Sequence, residues 1–112
     1  MQKAASRRAE DGTYMFLALW EFEVKSGCEE RFLSLYGAEG EWVGLFRSDA
    51  QFLETRLLRD AVEPLRYVTL DFWQSRGAYE SFKERHNDAY AALDQRGESL
   101  TTEERCIGTF EN

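Results

Sequence analysis

The segment Tyr14 to Val24 constrains this chain most. Phe16, Ala18, Trp20, Phe22 and Val24 alternate with Met15, Leu17 and Leu19, and Glu21 and Glu23 continue the second series. Alternation of this kind is the signature of a strand, and a strand apolar on both sides is covered on both sides. Any fold for the chain therefore needs one layer packed on each face of the sheet that holds this strand.

The rest of the chain supplies partners for it. Lys25-Ser26-Gly27 reads as a turn, with Ser26 as N-cap and Glu29 at capping-box spacing. Phe32, Leu35 and Tyr36 then recur at helical spacing. Gly37 and Gly40 interrupt this helix, and Trp42, Val43, Leu45 and Phe46 resume it, so a broken helical segment is expected from about Cys28 to Arg47. Phe52 to Arg59 reads as a second strand with Leu53, Thr55 and Leu57 on one face. Asp60 to Leu65 is a loop, and Arg66 to Trp73 is a third strand forming a hairpin with the second. There Tyr67, Thr69, Asp71 and Trp73 share one face; Val68, Leu70 and Phe72 share the other. Ser75 is positioned to cap a helix carrying Tyr79, Phe82 and His86, extended by Tyr90 and Leu93 and ended by Gly97. Glu104 to Phe110 is the last strand.

The order β-α-β-β-α-β is the ferredoxin-like arrangement: an α+β fold with an antiparallel sheet and helices on one face. At 112 residues, the chain has room for one hydrophobic core. Residues 13–112 are expected to form that domain, after a flexible tail at 1–12. The sheet face away from the helices needs a cover, and a second copy of the chain about a two-fold axis is the simplest one. Trp73, Thr69, Trp20 and Leu53 are expected on that outer face. A cavity between sheet and helices, its mouth closed by the second copy, is compatible with this arrangement.

Charge and cysteine usage narrow the function. Lys and Arg total 14 against 21 Asp and Glu, a formal net charge of -7. Such a chain repels phosphate backbones, so no nucleic-acid partner is expected. One histidine excludes a multi-histidine metal site, and Cys28 and Cys106 show no CxxC spacing. The opening MQKAASRRAEDG lacks the apolar run of a signal peptide, and Tyr14 to Trp20 is too short to cross a bilayer. A cytoplasmic protein with no membrane association is expected.

Three segments bear a resemblance. Trp20 to Gly27 (WEFEVKSG) resembles the first strand and turn of the antibiotic-biosynthesis monooxygenase domain. Phe52 to Asp60 (FLETRLLRD) is similar to its second strand, and Trp73 to Phe82 (WQSRGAYESF) to its third strand running into the second helix. The resemblance spans about residues 13–111. It implies a dimeric α/β barrel with a homodimer contact through the sheet face. It also implies a cofactor-independent monooxygenase, using neither metal nor flavin, because an electron-rich phenolic or quinol substrate anion itself reduces oxygen. The family includes haem-degrading enzymes and members without established activity, so fold alone does not decide function.

The same resemblance nominates a site. Family members that oxidise aromatic polyketides have a tryptophan at the end of the third strand and a tyrosine six positions later, and Trp73 and Tyr79 keep that spacing. The indole N–H is suited to bonding an oxygen and the phenol to exchanging a proton. Thr69 stands where those enzymes have an asparagine, and Arg96 is the nearest counterpart of their helical arginine, a few positions off. A packing contact between strand and helix explains Trp73 and Tyr79 as well. His86 is read either as an auxiliary base or as a surface residue; it lies too early on its helix for the haem ligand of the haem-degrading members, and the first strand lacks their asparagine. Trp20, Tyr36, Trp42, Phe46 and Phe82 are candidate walls of a pocket for a small aromatic ligand, a role that core packing competes for. Glu29, Glu30, Glu39 and Glu41 are read as a solvated face, and Glu103, Glu104 and Arg105 as unspecific.

Overall fold

A computed structural model describes residues 15–112, so the expected tail at 1–12, the domain start at 13 and Tyr14 lie outside the described residues. The alternating first segment forms β1 (Phe16–Val24), which is central in the sheet. It is followed by α1 (Glu29–Tyr36), α2 (Glu41–Phe46), β2 (Phe52–Arg59), β3 (Arg66–Trp73), α3 (Arg76–Arg85), α4 (Asn87–Glu98) and β4 (Thr101–Glu111). The four strands lie in the order β2-β3-β1-β4 and every pair is antiparallel. This is the α+β, ferredoxin-like arrangement that the order of elements predicts.

Local chemistry fixes most of the boundaries. Ser75 caps α3, its Oγ accepting from the Ala78 N–H at 3.0 Å. The first helix starts differently from expectation: Cys28, not Ser26, is its N-cap, and it makes no side-chain cap bond. The Glu29 carboxylate instead accepts from the Gly27 N–H at 2.8 Å, across a turn where Gly27 adopts φ 88°. A left-handed residue is needed there, and glycine meets that need at least cost. The expected single helix after Ser75 is two, α3 and α4, divided at His86, whose backbone leaves helical geometry (φ -115°, ψ 33°). Gly97 lies inside α4, one residue before its end.

The helices cover one face of the sheet. On that face lie Phe16, Ala18, Phe22 and Val24 of β1 and Tyr67, Thr69, Asp71 and Trp73 of β3, all buried. Phe32, Tyr36, Phe46, Tyr79 and Phe82 of the helices meet them in a continuous aromatic core. Trp73, Thr69 and Trp20 therefore point toward the helices, which corrects the expectation that they form the outer face. Leu53 parts from Thr55 and Leu57 at an irregularity in register between Phe52 and Glu54 and is left exposed. Such an irregularity inserts an unpaired residue and shifts which face each side chain takes.

The outer face is apolar in two rows. Phe72, Leu17 and Phe110 are aligned across β3, β1 and β4, and Leu70, Leu19 and Gly108 form the next row. Beyond them Glu21 carries an ion-pair triad with Arg66 and Arg105, and Arg66 also bonds Asp60 at 2.6 Å. Among the described residues no helix is long and apolar enough to cross a membrane. Cys28 and Cys106 are free thiols, the first buried and the second exposed.

Candidate functional site

A cleft opens on the helix-covered side of the sheet. β1 contributes Trp20 and Phe22, β2 Thr55, β3 Thr69 and Asp71, and β4 Glu104. The helices close it with Tyr36 of α1, Trp42 and Phe46 of α2, and Tyr90 and Asp94 of α4. The break between α1 and α2 is what turns Trp42 and Phe46 inward over the sheet. Trp42 meets Tyr90 edge-on at 4.8 Å and Phe46 at 5.6 Å, so the rings support each other. The cleft with its open mouth spans about 400 Å³, but its interior free space is about 30 Å³. That interior holds about two water molecules, so an aromatic ring enters only as wall side chains turn aside.

The cleft's polar groups are acidic or neutral. Asp71 is buried on β3 between Thr69 and Trp73 on the same strand face, and accepts a hydrogen bond from the Thr55 Oγ1 at 2.7 Å. Burial pushes its carboxyl up to about 6, with the Thr55 bond acting in the opposite direction. Glu104 is pushed up to about 7, first by burial and then by the charges of Asp94 and Glu98. Asp94 is raised by burial and by Glu98. Burial, followed by the charge of Glu104, raises the Tyr36 phenol; burial, followed by Tyr79, raises that of Tyr90. Tyr36 Oη, Trp42 Nε1 and Glu104 Oε1 are buried without a hydrogen-bond partner. Unpaired buried polar atoms are rare and costly, and their convergence on one cleft marks it chemically.

The structure gathers some candidate residues and separates others. Thr69, Trp20, Tyr36, Trp42 and Phe46 line the cleft together. Trp73, fully buried, stands outside the lining, in contact with its wall through Phe46 at 5.4 Å. Its other neighbours are Phe52, Tyr79 at 5.8 Å and Phe82 at 5.0 Å, and its Nε1 has no partner. Tyr79 packs on Phe16 at 5.3 Å and lies under the Lys83 ammonium. Phe82 is wholly buried, and His86 stacks on it at 4.6 Å, half-buried at the junction of α3 and α4. None of these three lines the cleft. Arg96 makes a two-pronged bond to Glu41 on the surface, at 2.6 and 2.7 Å, and is likewise outside it. Glu41 is thus not merely solvated.

Asp71, Asp94, Glu104 and Tyr90 are lining residues that sequence reasoning did not nominate. Asp71 carried a signal: it is the lone charge in the run Val68-Thr69-Leu70-Asp71-Phe72-Trp73. Glu104 did not, because nothing near it in sequence distinguishes it from Glu103.

Residues 15–93 match the family described as antibiotic biosynthesis monooxygenase. No curated protein matches the chain. Solved structures with the same fold include SnoaB, a cofactor-independent oxygenase from Streptomyces nogalater, in a variant with one asparagine replaced by alanine. It is 19% identical, with 86% of this chain and 90% of that chain covered, at a TM-score of 0.70. Protein SO0527 from Shewanella oneidensis is 16% identical, with 89% and 92% covered and a TM-score of 0.67. A conserved protein from Methanosarcina mazei Go1 is 11% identical, with 93% and 94% covered and a TM-score of 0.65.

Proposed function

The chain belongs to the antibiotic biosynthesis monooxygenase family, and from that premise we propose that it oxidises a flat phenolic or quinol compound with molecular oxygen in the cleft beneath α2 and α4. One observation carries this reading: a buried carboxylate, Asp71, is held by Thr55 within an aromatic-walled cleft. A carboxylate raised by burial is a stronger base than one in water, and it is placed to take a phenolic proton. The substrate anion then passes electrons to oxygen, and a C–O bond forms at a ring carbon bearing hydrogen. The O–O bond breaks. One oxygen stays as the new carbonyl, and the other leaves as water with that ring hydrogen and the phenolic proton. The phenol loses four electrons in becoming a quinone and dioxygen gains four.

Thr69 is assigned a hydroxyl contact to the substrate. Trp73 shares the strand face of Thr69 and Asp71 and has an unpartnered indole N–H, which supports a role as donor to the developing oxygen charge once the wall opens. Tyr79 packs on Trp73 and acts as a positioning residue. His86 stands too far outside the lining to be assigned more than an auxiliary role.

The test is oxygen uptake by purified protein with hydroquinones and anthrones, without added metal or flavin. Uptake above autoxidation that falls at least about ten-fold in both Asp71→Asn and Trp73→Phe supports the assignment. Unchanged uptake in Asp71→Asn removes Asp71 as the base. A second reading, a non-catalytic homodimer with a structural or ligand-binding role, is favoured by the small interior space of about 30 Å³, which leaves little room for a substrate. Absence of uptake across the panel, with ligand binding retained, selects it. In either reading a second copy of the chain is proposed to cover the outer rows of the sheet.

A further inference from the structure

The cleft carries three carboxylates, Asp71, Asp94 and Glu104, and no lysine, arginine or histidine among its lining residues. Asp94 and Glu104, neighbours in a half-closed, aromatic-walled space, crowd like charge and lose hydration, which is unfavourable without a positive partner. Two further side chains converge on the same space. Tyr36 and Trp42 are only 6% and 7% exposed, and their Oη and Nε1 atoms have no partner. Tyr36 Oη offers lone pairs, as does the equally unpartnered Glu104 Oε1.

We propose that the cleft selects an aromatic compound bearing a protonated amine, with the ammonium held by Asp94 and Glu104 against the rings of Tyr36, Trp42 and Tyr90. This names the substrate class of the cleft and rests on that cleft being the ligand site, as above, but not on its oxygen chemistry.

The chemistry of recognition is specific. An ammonium supplies donors to Glu104 Oε1 and Tyr36 Oη, which lack them, and neutralises the acidic pair. Electron-rich rings attract the same charge through their faces, most strongly once water is excluded. The nearest lysine, Lys83, sits over Tyr79 at 4.5 Å and at 6.0 Å from the Tyr90 ring, and does not line the cleft. The lining therefore supplies the acidic pair with no cation of its own. A metal ion is a poorer fit, because among the described residues no three His, Cys, Asp or Glu side chains are grouped as ligands. An anionic aromatic would face the carboxylates and is rejected.

The experiment compares tyramine, neutral p-ethylphenol and anionic p-hydroxyphenylacetate, which share one ring and differ in side-chain charge. Binding is read under nitrogen by calorimetry and by tryptophan fluorescence at neutral pH. Tyramine is expected to bind at least about ten-fold more tightly than p-ethylphenol, and p-hydroxyphenylacetate more weakly than either. Asp94→Asn with Glu104→Gln, near-isosteric changes, should erase that ratio while p-ethylphenol affinity holds. A thermal melt confirms that the double variant is folded. Equal affinity for tyramine and p-ethylphenol, no binding of tyramine, or a ratio unchanged in the double variant each overturns the proposal. An amine preference without oxygen uptake leaves it standing and removes the oxygenase reading. Uptake with neutral phenols and no amine preference does the reverse.

Discussion

Asp71 sits at a position where apolar residues precede and follow it on the strand, and where burial leaves it one hydrogen-bond donor, Thr55. Its cost appears in stability. Its carboxyl moves from 3.8 to about 6 on folding, so between those values the folded chain holds more protons than the unfolded one. Stability is therefore full below the lower value and falls as pH rises through the upper one. Glu104, moving from 4.5 to about 7, extends the same loss toward neutrality. Glu21, Glu41, Asp49 and Asp60 are lowered by their bonds and act in the opposite sense, below about pH 4. Urea unfolding at pH 5 and pH 8 separates the two groups. The wild type is expected to be less stable at pH 8, with Asp71 alone accounting for roughly 1–1.5 kcal/mol of the loss. Asp71→Asn should shrink the difference by that amount; an unchanged difference would exclude Asp71 as its source.

A second residue-scale prediction concerns Gly97. A Cβ built there lies 2.1 Å from Tyr36 Oη and 3.1 Å from its Cζ. Tyr36 cannot swing away freely, because Phe22 and Phe32 pack on its ring at 4.7 and 4.6 Å. Gly97→Ala is expected to destabilise by about 1–3 kcal/mol, the usual cost of overpacking. Adding Tyr36→Phe, which deletes the clashing oxygen, should recover much of that loss in a double-mutant cycle followed by thermal melting.

At the scale of elements, the sequence is legible wherever one short-range rule acts alone. Ser75 is such a case. It sits immediately before a helix with Ala78 three residues on, and it caps that helix. Ser75→Ala is expected to cost about 1 kcal/mol and Ser75→Asp little, measured by urea unfolding. The alternation of β1 and the β2–β3 hairpin were readable for the same reason, since strand period and loop length are local. Three other features were not. The irregularity between Phe52 and Glu54 and the one between Leu19 and Trp20 change which face later residues take, and nothing in the alternation records an inserted residue. The break at His86 is hidden because Phe82, Tyr90 and Leu93 keep helical spacing across it. The assignment of Trp73 and Thr69 to the outer face failed because both faces of β3 are apolar, so period alone cannot say which side the helices take. For the cleft, the aromatic walls were readable as an apolar stripe. The acidic set was not, because Asp71, Asp94 and Glu104 lie on three elements and come to line one cleft only through the placing of β4 beside β1 and the packing of α4 over it.

For the whole molecule, the unsolved requirement is the outer face of the sheet. Phe72, Leu17 and Phe110 form one apolar row and Leu70 and Leu19 the next. Phe110 is 49% exposed and Leu58, on β2, 48%. A continuous patch of this kind marks an interface, and a sheet face is self-complementary about a two-fold axis. The charged triad of Glu21, Arg66 and Arg105 bounds the patch at one end. Sedimentation of the full chain is expected to give twice the chain mass. Leu19→Arg, placed in the middle of the rows, would bury an unpaired charge in the interface, at a cost of several kcal/mol per ion. That variant should sediment as a monomer, with dimer affinity lowered at least about 100-fold. A monomeric wild type, or a Leu19→Arg variant still dimeric at the same concentration, would reject the sheet face as the contact. The lining residues lie on the helix-covered face, opposite the apolar rows, so the monomeric variant is expected to bind tyramine within a few-fold of wild type. Loss of that binding would instead mean that the second copy closes the mouth of the cleft, and that ligand and partner depend on each other.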